Sequence, residues 1–260
     1  MKPFLSFLLL VVSCLFYAAA CDRTLNVSVS DSWPPYSFKN GSEYEGLDIE
    51  ILNLLLKHNN LCANFFVYPS SSRAFEEFKK GNVDLIPAAT FSQKRRAYSE
   101  FSIPYRNEVM GLFHNAKSDK TRAIVTQLDK IDSPLSLLNE STVLVNRGSY
   151  YGAAFEQFSS NCKDCVVYLN QTEQRFKLLK SKRVDFVVED ALTGGYFKYQ
   201  KDVVLTPVLI NKSPTYFMLR PGFFNEQELQ AFNLSIINNR YEIKAILKKY
   251  AKNYGVDLSQ

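Results

Sequence analysis

The sequence alternates strand-like and helix-like segments twice in the same order, and this repetition constrains the fold more than any other feature. The first copy has predicted strands over 25–30, 63–68 and 83–88 and predicted helices over 47–58 and 72–80. The second copy has predicted strands over 142–146, 166–169 and 184–189 and predicted helices over 151–158 and 172–180. Strands that alternate with helices favour a parallel sheet with crossover helices. The pattern therefore predicts an α/β protein with two Rossmann-like lobes.

The joints between helix and strand also resemble each other. The first reads FKKGNVDLIPA over 78–88 and the second LKSKRVDFVVE over 179–189, so a basic turn precedes Val-Asp and an apolar strand in both. The similarity supports two related units. Chance is the alternative, because helix-to-strand joints are short and often look alike.

Two predicted strands, 106–113 and 215–219, lie outside both copies, and the tail over 225–253 reads as two helices. A pair of strands that crosses between lobes makes a hinge, and a hinge leaves a cleft. We expect one lobe to comprise 21–108 plus 218–260 and the other 109–217.

The N-terminus has the pattern of a secretory signal peptide over 1–20. Lys2 supplies an early positive charge, an apolar run extends from Phe4 to Ala20, and small residues precede Cys21. The run is short for a retained membrane span, although an uncleaved anchor is the alternative. We expect a mature protein that is secreted, or periplasmic in a bacterium.

Composition and motifs exclude several classes of function. The net charge of +5 is mild, and Lys94-Arg95-Arg96 is too short a basic run to indicate nucleic-acid binding. No nucleophile–base pair is legible, and the HExxH, GxSxG, P-loop and GxGxxG motifs do not occur in the sequence. We expect no enzymatic activity, no cofactor, no metal site and no nucleic-acid partner.

Four cysteines follow the predicted signal peptide, namely Cys21, Cys62, Cys162 and Cys165. An even number in an oxidising compartment favours two disulfides. Cys162 and Cys165 would pair locally, with a redox or metal site as the alternative. Cys21 and Cys62 each precede a predicted strand, so they would meet at one edge of a parallel sheet. Lipidation of Cys21, which would leave a lipoprotein anchored to the membrane, is the alternative to that bond.

The segment 88–105, AATFSQKRRAYSEFSIPY, is typical of a carboxylate-binding site. Thr90 and Ser92 follow an apolar strand, and Arg95 comes about one helical turn later. N–H groups at a helix start attract anions, and an arginine adds a two-pronged ion pair. The alternative for Arg95 is a surface ion pair near Glu100.

Three further candidates lie where predicted parallel strands end, which is where ligands bind in such sheets. Trp33 stands in a loop beside two prolines and could form an aromatic wall, or it could be a packing residue. Gly148-Ser149 forms a strand-to-helix turn that suits an anion, or a turn alone. Asp190 could face a ligand ammonium, or it could cap a helix.

In these motifs the chain resembles the family 3 extracellular solute-binding proteins of polar amino-acid ABC transporters, which have the type II periplasmic-binding fold. The resemblance extends over essentially the whole mature chain. The motifs that carry it are WPPYSF at 33–38, Gly46-x-Asp48, Gly81-x-Val-Asp84, Thr90-x-Ser92-x-x-Arg95, FSIPY at 101–105, Gly148-Ser149 and Arg183-Val-Asp185 through Asp190.

The resemblance implies a role for each matching position. The matching arginine, Arg95, would pair with the ligand α-carboxylate, with Thr90 and Ser92 adding N–H and hydroxyl groups. Ala88 would offer a carbonyl, and Trp33 would stack on the ligand. The turn at Gly148-Ser149 would close on the carboxylate from the other lobe, and Asp190 would bind the α-ammonium.

Some positions depart from the family pattern. Where the family often has an aromatic residue before the second helix, this chain has Ser70-Ser71-Ser72-Arg73, so Arg73 could contact the ligand side chain. Alanine replaces the usual glycine at Ala88.

The expected function is therefore capture of a small zwitterion, such as a polar amino acid, and its delivery to an ABC permease by a monomeric binding protein. The alternatives are a cyclohexadienyl dehydratase on the same fold, with Glu189 as its acid, and a ligand-sensing module for a separate receptor chain.

Overall fold

The structure is a computed structural model that describes residues 21–128, 130–131, 133–197 and 201–256. The predicted signal peptide, residues 1–20, lies outside the described residues.

The first part of the chain contains the first βαβαβ unit, a small sheet and the strand that leaves the unit. Its strands are β1 (Arg23–Val29), β2 (Ser32–Trp33), β3 (Ser37–Asn40), β4 (Glu43–Glu45), β5 (Leu61–Val67), β6 (Leu85–Thr90), β7 (Glu100–Phe101) and β8 (Arg106–Asn115). Its helices are α1 (Leu47–His58), α2 (Ser71–Lys79), α3 (Gln93–Arg96) and α4 (Asp119–Leu128).

The second part contains the second unit and the C-terminal helices. Its strands are β9 (Val143–Val145), β10 (Val166–Tyr168), β11 (Phe186–Asp190) and β12 (Val203–Leu219). Its α-helices are α5 (Ala153–Asn161), α6 (Thr172–Lys180), α7 (Ala191–Tyr196), α8 (Glu226–Asn238) and α9 (Arg240–Tyr254), and short 3₁₀ turns cover Pro134–Leu138 and Lys163–Cys165.

One large sheet runs through the molecule in the strand order β10-β9-β11-β8-β12-β6-β1-β5. The three strands at each end are parallel to one another. Between them, β8 and β12 are antiparallel to each other, and each is antiparallel to its outer neighbour. The sheet thus consists of two parallel halves joined by one antiparallel pair, which is the predicted arrangement of two α/β lobes and two crossing strands.

Each half of the sheet has its own apolar core. In one, Leu47, Ile51 and Leu55 of α1 are buried against Leu25 and Val27 of β1. In the other, the buried apolar residues of β9 and β11 pack with α5 at Val143, Val145, Phe155, Phe186 and Val188. We propose that the lobes divide as the sequence predicts, into 21–108 plus 218–260 and 109–217.

Gly46 sets the position of α1. It precedes the helix at φ 126°, and a Cβ there would lie 2.4 Å from the carbonyl oxygen of Tyr36. Only glycine fits this backbone conformation and this close approach. The turn places Asp48 in the first turn of α1, where it is buried.

The repeated Val-Asp joint performs the same task in both lobes. The Asp84 carboxylate accepts the N–H of Asn26 at 2.8 Å, and the Asp84 N–H donates back to the Asn26 carbonyl at 2.7 Å. Asp185 makes the equivalent reciprocal pair with Thr142, at 2.9 and 3.1 Å. Each aspartate therefore fixes the start of its last strand against the first strand of its unit, which gives the sequence similarity a structural reason.

The disulfides join Cys21 to Cys62 and Cys162 to Cys165, as predicted. Cys62 is the second residue of β5 and does not precede that strand, because β5 begins two residues earlier than predicted, at Leu61. No helix within the described residues has the length and apolarity that crossing a bilayer requires.

The sequence did not predict several short elements. The segment 31–38, expected to be a loop, contributes β2 and the start of β3 to a three-stranded antiparallel sheet with β4. Helix α4, the turn over Pro134–Leu138 and helix α7 were also missed. The strands of the small sheet, the turn and α7 each span six residues or fewer, which is too short for a periodic pattern to identify them.

Asp84→Ala tests the role of the joint. Asp84 is buried and also accepts two N–H groups of Arg220, so the substitution should lower the free energy of unfolding by about 2–3 kcal/mol. The measurement is urea unfolding followed by circular dichroism. Glu173→Ala removes an exposed ion pair with Lys177 and should cost no more than about 0.5 kcal/mol. Equal losses in the two variants would contradict this account.

Candidate functional site

A cavity of about 670 Å³ lies between the two lobes. Its wall includes the carboxyl ends of β1 and β6, the loop after β9, the end of β11 and part of β8. The volume is in the range of small-molecule sites. The residues on the wall that matter below are Trp33, Asp48, Ala88, Thr90, Arg95, Glu108, Gly148, Ser149, Arg175 and Glu189.

Arg95 is the cation that the first lobe presents to the cavity. It lies on the short helix α3, where the Ser92 side chain caps the helix by accepting the Arg95 N–H at 3.3 Å. Its Nη1 donates to the Thr90 carbonyl at 2.7 Å, and its guanidinium lies 4.6 Å from the Phe75 ring. The side chain is thereby held against the wall between α2, α3 and the end of β6.

Arg95 has no carboxylate partner within 4 Å among the described residues, although only 9% of its surface is exposed. Burial lowers the pKa of Arg95, but a guanidinium keeps its proton in a protein. Among the protein acceptors described, only the carbonyl oxygens of Thr90 and Gly148 receive its side-chain N–H groups. A buried positive charge with unused donors therefore faces the cavity.

The second lobe reaches the cavity through the turn after β9. Gly148 has φ 85°, and a Cβ there would lie 2.6 Å from the Ser72 hydroxyl. This close approach lets the Gly148 carbonyl accept a hydrogen bond from Arg95 Nη2 at 3.3 Å. The Ser149 hydroxyl accepts from Asn146 Nδ2 at 2.9 Å, so the turn is supported from its own strand.

Further contacts hold the lobes together around the cavity. Asn146 Nδ2 donates to the Ser71 hydroxyl at 3.3 Å, and Asn170 Nδ2 donates to the Pro69 carbonyl at 2.8 Å. The lobes therefore meet along one side of the cavity, with residues of the α2 region on one face and the loops after β9 and β10 on the other.

Trp33 forms another part of the wall. Its indole stacks on Tyr36 at 4.5 Å between ring centroids, and its Nε1 donates to Glu189 Oε1 at 3.2 Å. The hydrogen bond crosses from one lobe to the other. Trp33 therefore packs against Tyr36 and also lines the cavity.

Ala88 is on the wall with an unusual backbone. It has φ 55°, which favours glycine, and its N–H donates to the Tyr105 hydroxyl at 3.0 Å. A glycine, which is usual in the family at this position, would adopt this conformation without strain. In this chain the hydrogen bond to Tyr105 helps to hold the alanine in it.

Three predicted site residues are not on the cavity wall. Arg73 is half exposed and forms ion pairs with Glu76 and Glu77 on its own helix, at 3.2 and 2.8 Å. The Ser92 side chain is used as the cap of α3. Asp190 is 1% exposed and accepts from the Tyr36 hydroxyl at 2.6 Å, from the Leu192 N–H at 2.7 Å and from the Val109 N–H at 3.1 Å.

A network of buried charges that sequence reasoning missed lies next to the cavity. Asp48 accepts Nε and Nη2 of Arg106, both at 2.8 Å, and the Tyr105 hydroxyl at 2.7 Å. Burial alone would lower the pKa of Arg106, but the Asp48 carboxylate together with Tyr105 and Tyr36 outweighs burial, so that pKa lies well above its usual value. Burial raises the pKa of Tyr36 and Tyr105. These groups form a rigid polar support beneath Trp33.

Glu189 is committed to contacts within the protein. Oε2 forms an ion pair with Nη2 of buried Arg175, and Oε1 accepts from Trp33 Nε1 and from the Asp190 N–H at 3.0 Å. Arg175 in turn donates to the carbonyl oxygens of Leu169 and Asn170.

Glu108 is the other residue that sequence reasoning missed. It lies on β8, is 5% exposed, and lines the cavity. Burial raises its pKa to about 8, and the neighbouring carboxylates of Asp190, Glu189 and Asp48 add to the rise while Arg106 opposes it. The sequence held one signal for Glu108: in the predicted strand 106–113 it is an acidic residue on the same face as the apolar Met110 and Leu112.

A family profile identifies the family of the chain, and solved structures support its fold. The sequence profile of the bacterial extracellular solute-binding proteins, family 3, matches residues 25–158 of the chain. The chain belongs to this family. The fold class predicted from the sequence is confirmed, and so is the resemblance on which it was based. No curated protein sequence matches the chain.

Solved structures of the same fold include proteins with different tasks. An ancestral arginine-binding protein bound to arginine is 21% identical, with a TM-score of 0.71 over 87% of this chain and 97% of that one. A histidine kinase sensor domain with similarity to periplasmic binding proteins is 19% identical, with a TM-score of 0.73 over 87% and 95%. An ancestral amino acid-binding protein, described as a precursor of cyclohexadienyl dehydratase, is 20% identical, with a TM-score of 0.67 over 89% and 94%.

The raised pKa of Glu108 predicts a pH-dependent stability. The folded protein binds this proton more tightly than the unfolded chain, whose glutamate has a pKa near 4.5, so the stability that the group contributes is present below pH 4.5 and is lost as the pH rises towards 8. Glu108→Gln removes that loss. The variant should match the wild type at about pH 4 and exceed it by on the order of 3 kcal/mol at about pH 9.

The measurement is thermal unfolding across this pH range without added solute. Glu43→Gln, at an exposed position on β4, is the matched control and should follow the wild type. A constant difference between Glu108→Gln and the wild type at every pH would contradict the burial of an acidic group with a raised pKa.

Proposed function

We propose that this family 3 protein captures a small carboxylate-bearing zwitterion, an amino acid or a close relative, between its two lobes outside the cytoplasm. The solute would then pass to a separate membrane permease of the ABC type. We propose that the protein acts as a monomer without a cofactor or metal ion, and that residues 1–20 are its signal peptide.

One observation carries the proposal: the unpaired guanidinium of Arg95 on the wall of an interlobe cavity. An arginine that is removed from water without a carboxylate is costly, and an incoming carboxylate would restore the lost interaction through two parallel hydrogen bonds. The cavity is large enough for an amino acid and too small for a macromolecule.

Other wall residues would complete the carboxylate site. Thr90, Ala88 and the turn at Gly148-Ser149 line the same cavity as Arg95, and they would add a hydroxyl, a carbonyl and N–H groups respectively. Ser92 would act indirectly by capping α3 and so holding Arg95 in place. Trp33 would supply an aromatic surface for the apolar part of the solute. The contacts of Arg73 and Asp190 favour structural roles for these two residues.

Closure of the lobes would couple binding to delivery. The hydrogen bonds that Arg95, Asn146 and Asn170 make between the lobes would be the contacts of a closed arrangement. A solute that touches Arg95 on one lobe and the turn at Gly148 on the other binds this arrangement more tightly than an open one, and therefore shifts the population towards it. A permease can recognise the closed form, and a separate receptor chain could use the same signal.

A dehydratase is the second candidate, and Glu108 is the observation that favours it. Its pKa of about 8 would leave it protonated at neutral pH, as an acid that assists loss of water must be. Glu189, the acid suggested by the sequence, is engaged by Arg175 and Trp33. Incubation with prephenate and with arogenate, followed by chromatography, tests this candidate; turnover that is lost in Glu108→Gln would support it over the binding protein.

Arg95→Ala tests the proposed function. The substitution removes the cation that would hold the carboxylate, so affinity should fall about a hundredfold or more while the fold is retained. A thermal-shift screen against the standard L-amino acids identifies the solute, because a bound solute raises the apparent stability by mass action. Isothermal titration calorimetry then measures the affinity of each variant.

Arg96→Ala is the matched control. Arg96 is the next residue of α3, is exposed, and donates to the Ser99 carbonyl at 3.1 Å without reaching the cavity. It should bind as the wild type does. An unchanged affinity in Arg95→Ala, or an equal loss in both variants, would refute the site.

A further inference from the structure

Some charged side chains on the cavity wall have an ionic partner within the protein, and others have none. Asp48 is paired with Arg106, and Glu189 is paired with Arg175, so neither pair has a charge left for a solute. Asp31, also on the wall, is exposed to solvent. Among the described residues, Arg95 and Glu108 are the buried wall groups without an ionic partner within 4 Å.

Glu108 is presented to the cavity by the strand pair that joins the lobes. Its backbone lies opposite Ser213 of β12, two residues beyond the pairing of Arg106 with Thr215. None of the hydrogen bonds among the described side chains involves its carboxyl group. Glu108 as a residue is 5% exposed, and its carboxyl group faces the cavity without a partner among those side chains, so a solute group that pairs with it would lower the cost of its burial.

The residue expected to bind the ammonium group is not available for that task. The two oxygens of Asp190 already accept three hydrogen bonds, from Tyr36, Leu192 and Val109. Asp190 also caps α7, and it does not line the cavity. Among the described residues, an ammonium group in the cavity would therefore find Glu108 as the buried carboxylate without an internal partner.

We propose that Glu108 receives a cationic nitrogen of the solute while Arg95 receives its carboxylate. This inference rests on the proposed function and specifies it: the protein selects solutes that carry both charges and discriminates against simple carboxylic acids. The two unpaired groups of the cavity and the two charged ends of a zwitterion are complementary, so one solute neutralises both. Glu108 then determines specificity, and Arg95 supplies the anchor that any carboxylate can use.

The proposal implies that binding releases a proton. Without a cation beside it, Glu108 keeps its proton at neutral pH, because burial raises its pKa to about 8. A cation placed beside the carboxyl group favours the ionised form and lowers that pKa. The groups that act on Glu108 are the carboxylates of Asp190, Glu189 and Asp48 and the guanidinium groups of Arg106 and Arg95.

The experiment uses the mature protein with its disulfides intact. The probes are the standard L-amino acids in the thermal-shift screen, then the tightest binder, its analogue without the α-amino group, and its analogue without any cationic nitrogen. Calorimetry in two buffers of different ionisation enthalpy gives the affinity and the number of protons released. In the wild type we expect close to one proton released per solute at about pH 7.

Glu108→Gln should weaken the tightest amino acid at least about tenfold and abolish the proton release. The analogue without any cationic nitrogen should bind both proteins equally. The analogue without the α-amino group shows which nitrogen Glu108 receives. If the wild type and Glu108→Gln bind this analogue equally, Glu108 receives the α-ammonium. If Glu108→Gln still binds it more weakly, Glu108 receives a nitrogen of the side chain. Glu43→Gln, on the exposed strand β4, is the control and should behave as the wild type.

An unchanged affinity in Glu108→Gln, or the same proton release in both proteins, overturns the inference. If Arg95→Ala still loses affinity in that case, the proposed function is supported without the inference on Glu108. If no amino acid binds the wild type, both the proposed function and the inference are contradicted. Should Glu108→Gln not fold, Glu108→Asp moves the carboxyl group back by one methylene. Glu108→Asp should lose more affinity for the amino acid than for the analogue without a cationic nitrogen. An equal loss of affinity for the two compounds would overturn the inference.

Discussion

The antiparallel pairing of β8 with β12 is the interaction on which the rest of the molecule depends. The register runs from Asn115 opposite Val203 to Arg106 opposite Thr215, and the end of β12 continues beside β6. Because this one ladder of hydrogen bonds joins two parallel half-sheets, it makes a single sheet of two lobes that have separate cores. It also places Glu108 on the cavity wall and Arg106 next to the cavity.

The chemistry of the cavity follows from what burial does to charge. A charge removed from water is stable only with a partner, and most buried charges here have one: Asp48 with Arg106, Asp84 with Arg220, and Glu189 with Arg175. Arg95 and Glu108 are the departures from this rule on the cavity wall. Their positions support a site whose missing partners are supplied by a solute with a carboxylate and a cationic nitrogen.

Sequence patterns predicted the regular elements well where local periodicity decides them. The helices Leu47–His58 and Thr172–Lys180 have the predicted bounds, and the strands of both units lie within a few residues of prediction. Helix α7 and the strands β2 to β4 were missed, because each spans six residues or fewer and is too short to show a periodic pattern. The candidate site divides in the same way. Arg95 and Gly148 were chosen from local motifs and lie on the cavity wall, whereas Glu108 carried no motif and Asp190 is occupied by Tyr36.

The sequence by itself determined the α/β class, the two repeated units, the cysteine pairs and the carboxylate-binding motif around Arg95. Each of these depends on residues close together in the chain or on a pattern with a fixed period. Only the tertiary structure decided which carboxylates already have hydrogen-bond donors, because Trp33 donates to Glu189 and Tyr36 donates to Asp190 across more than 150 positions of the chain. The availability of a carboxyl group for a solute is a property of its neighbours in space, and no local pattern records them.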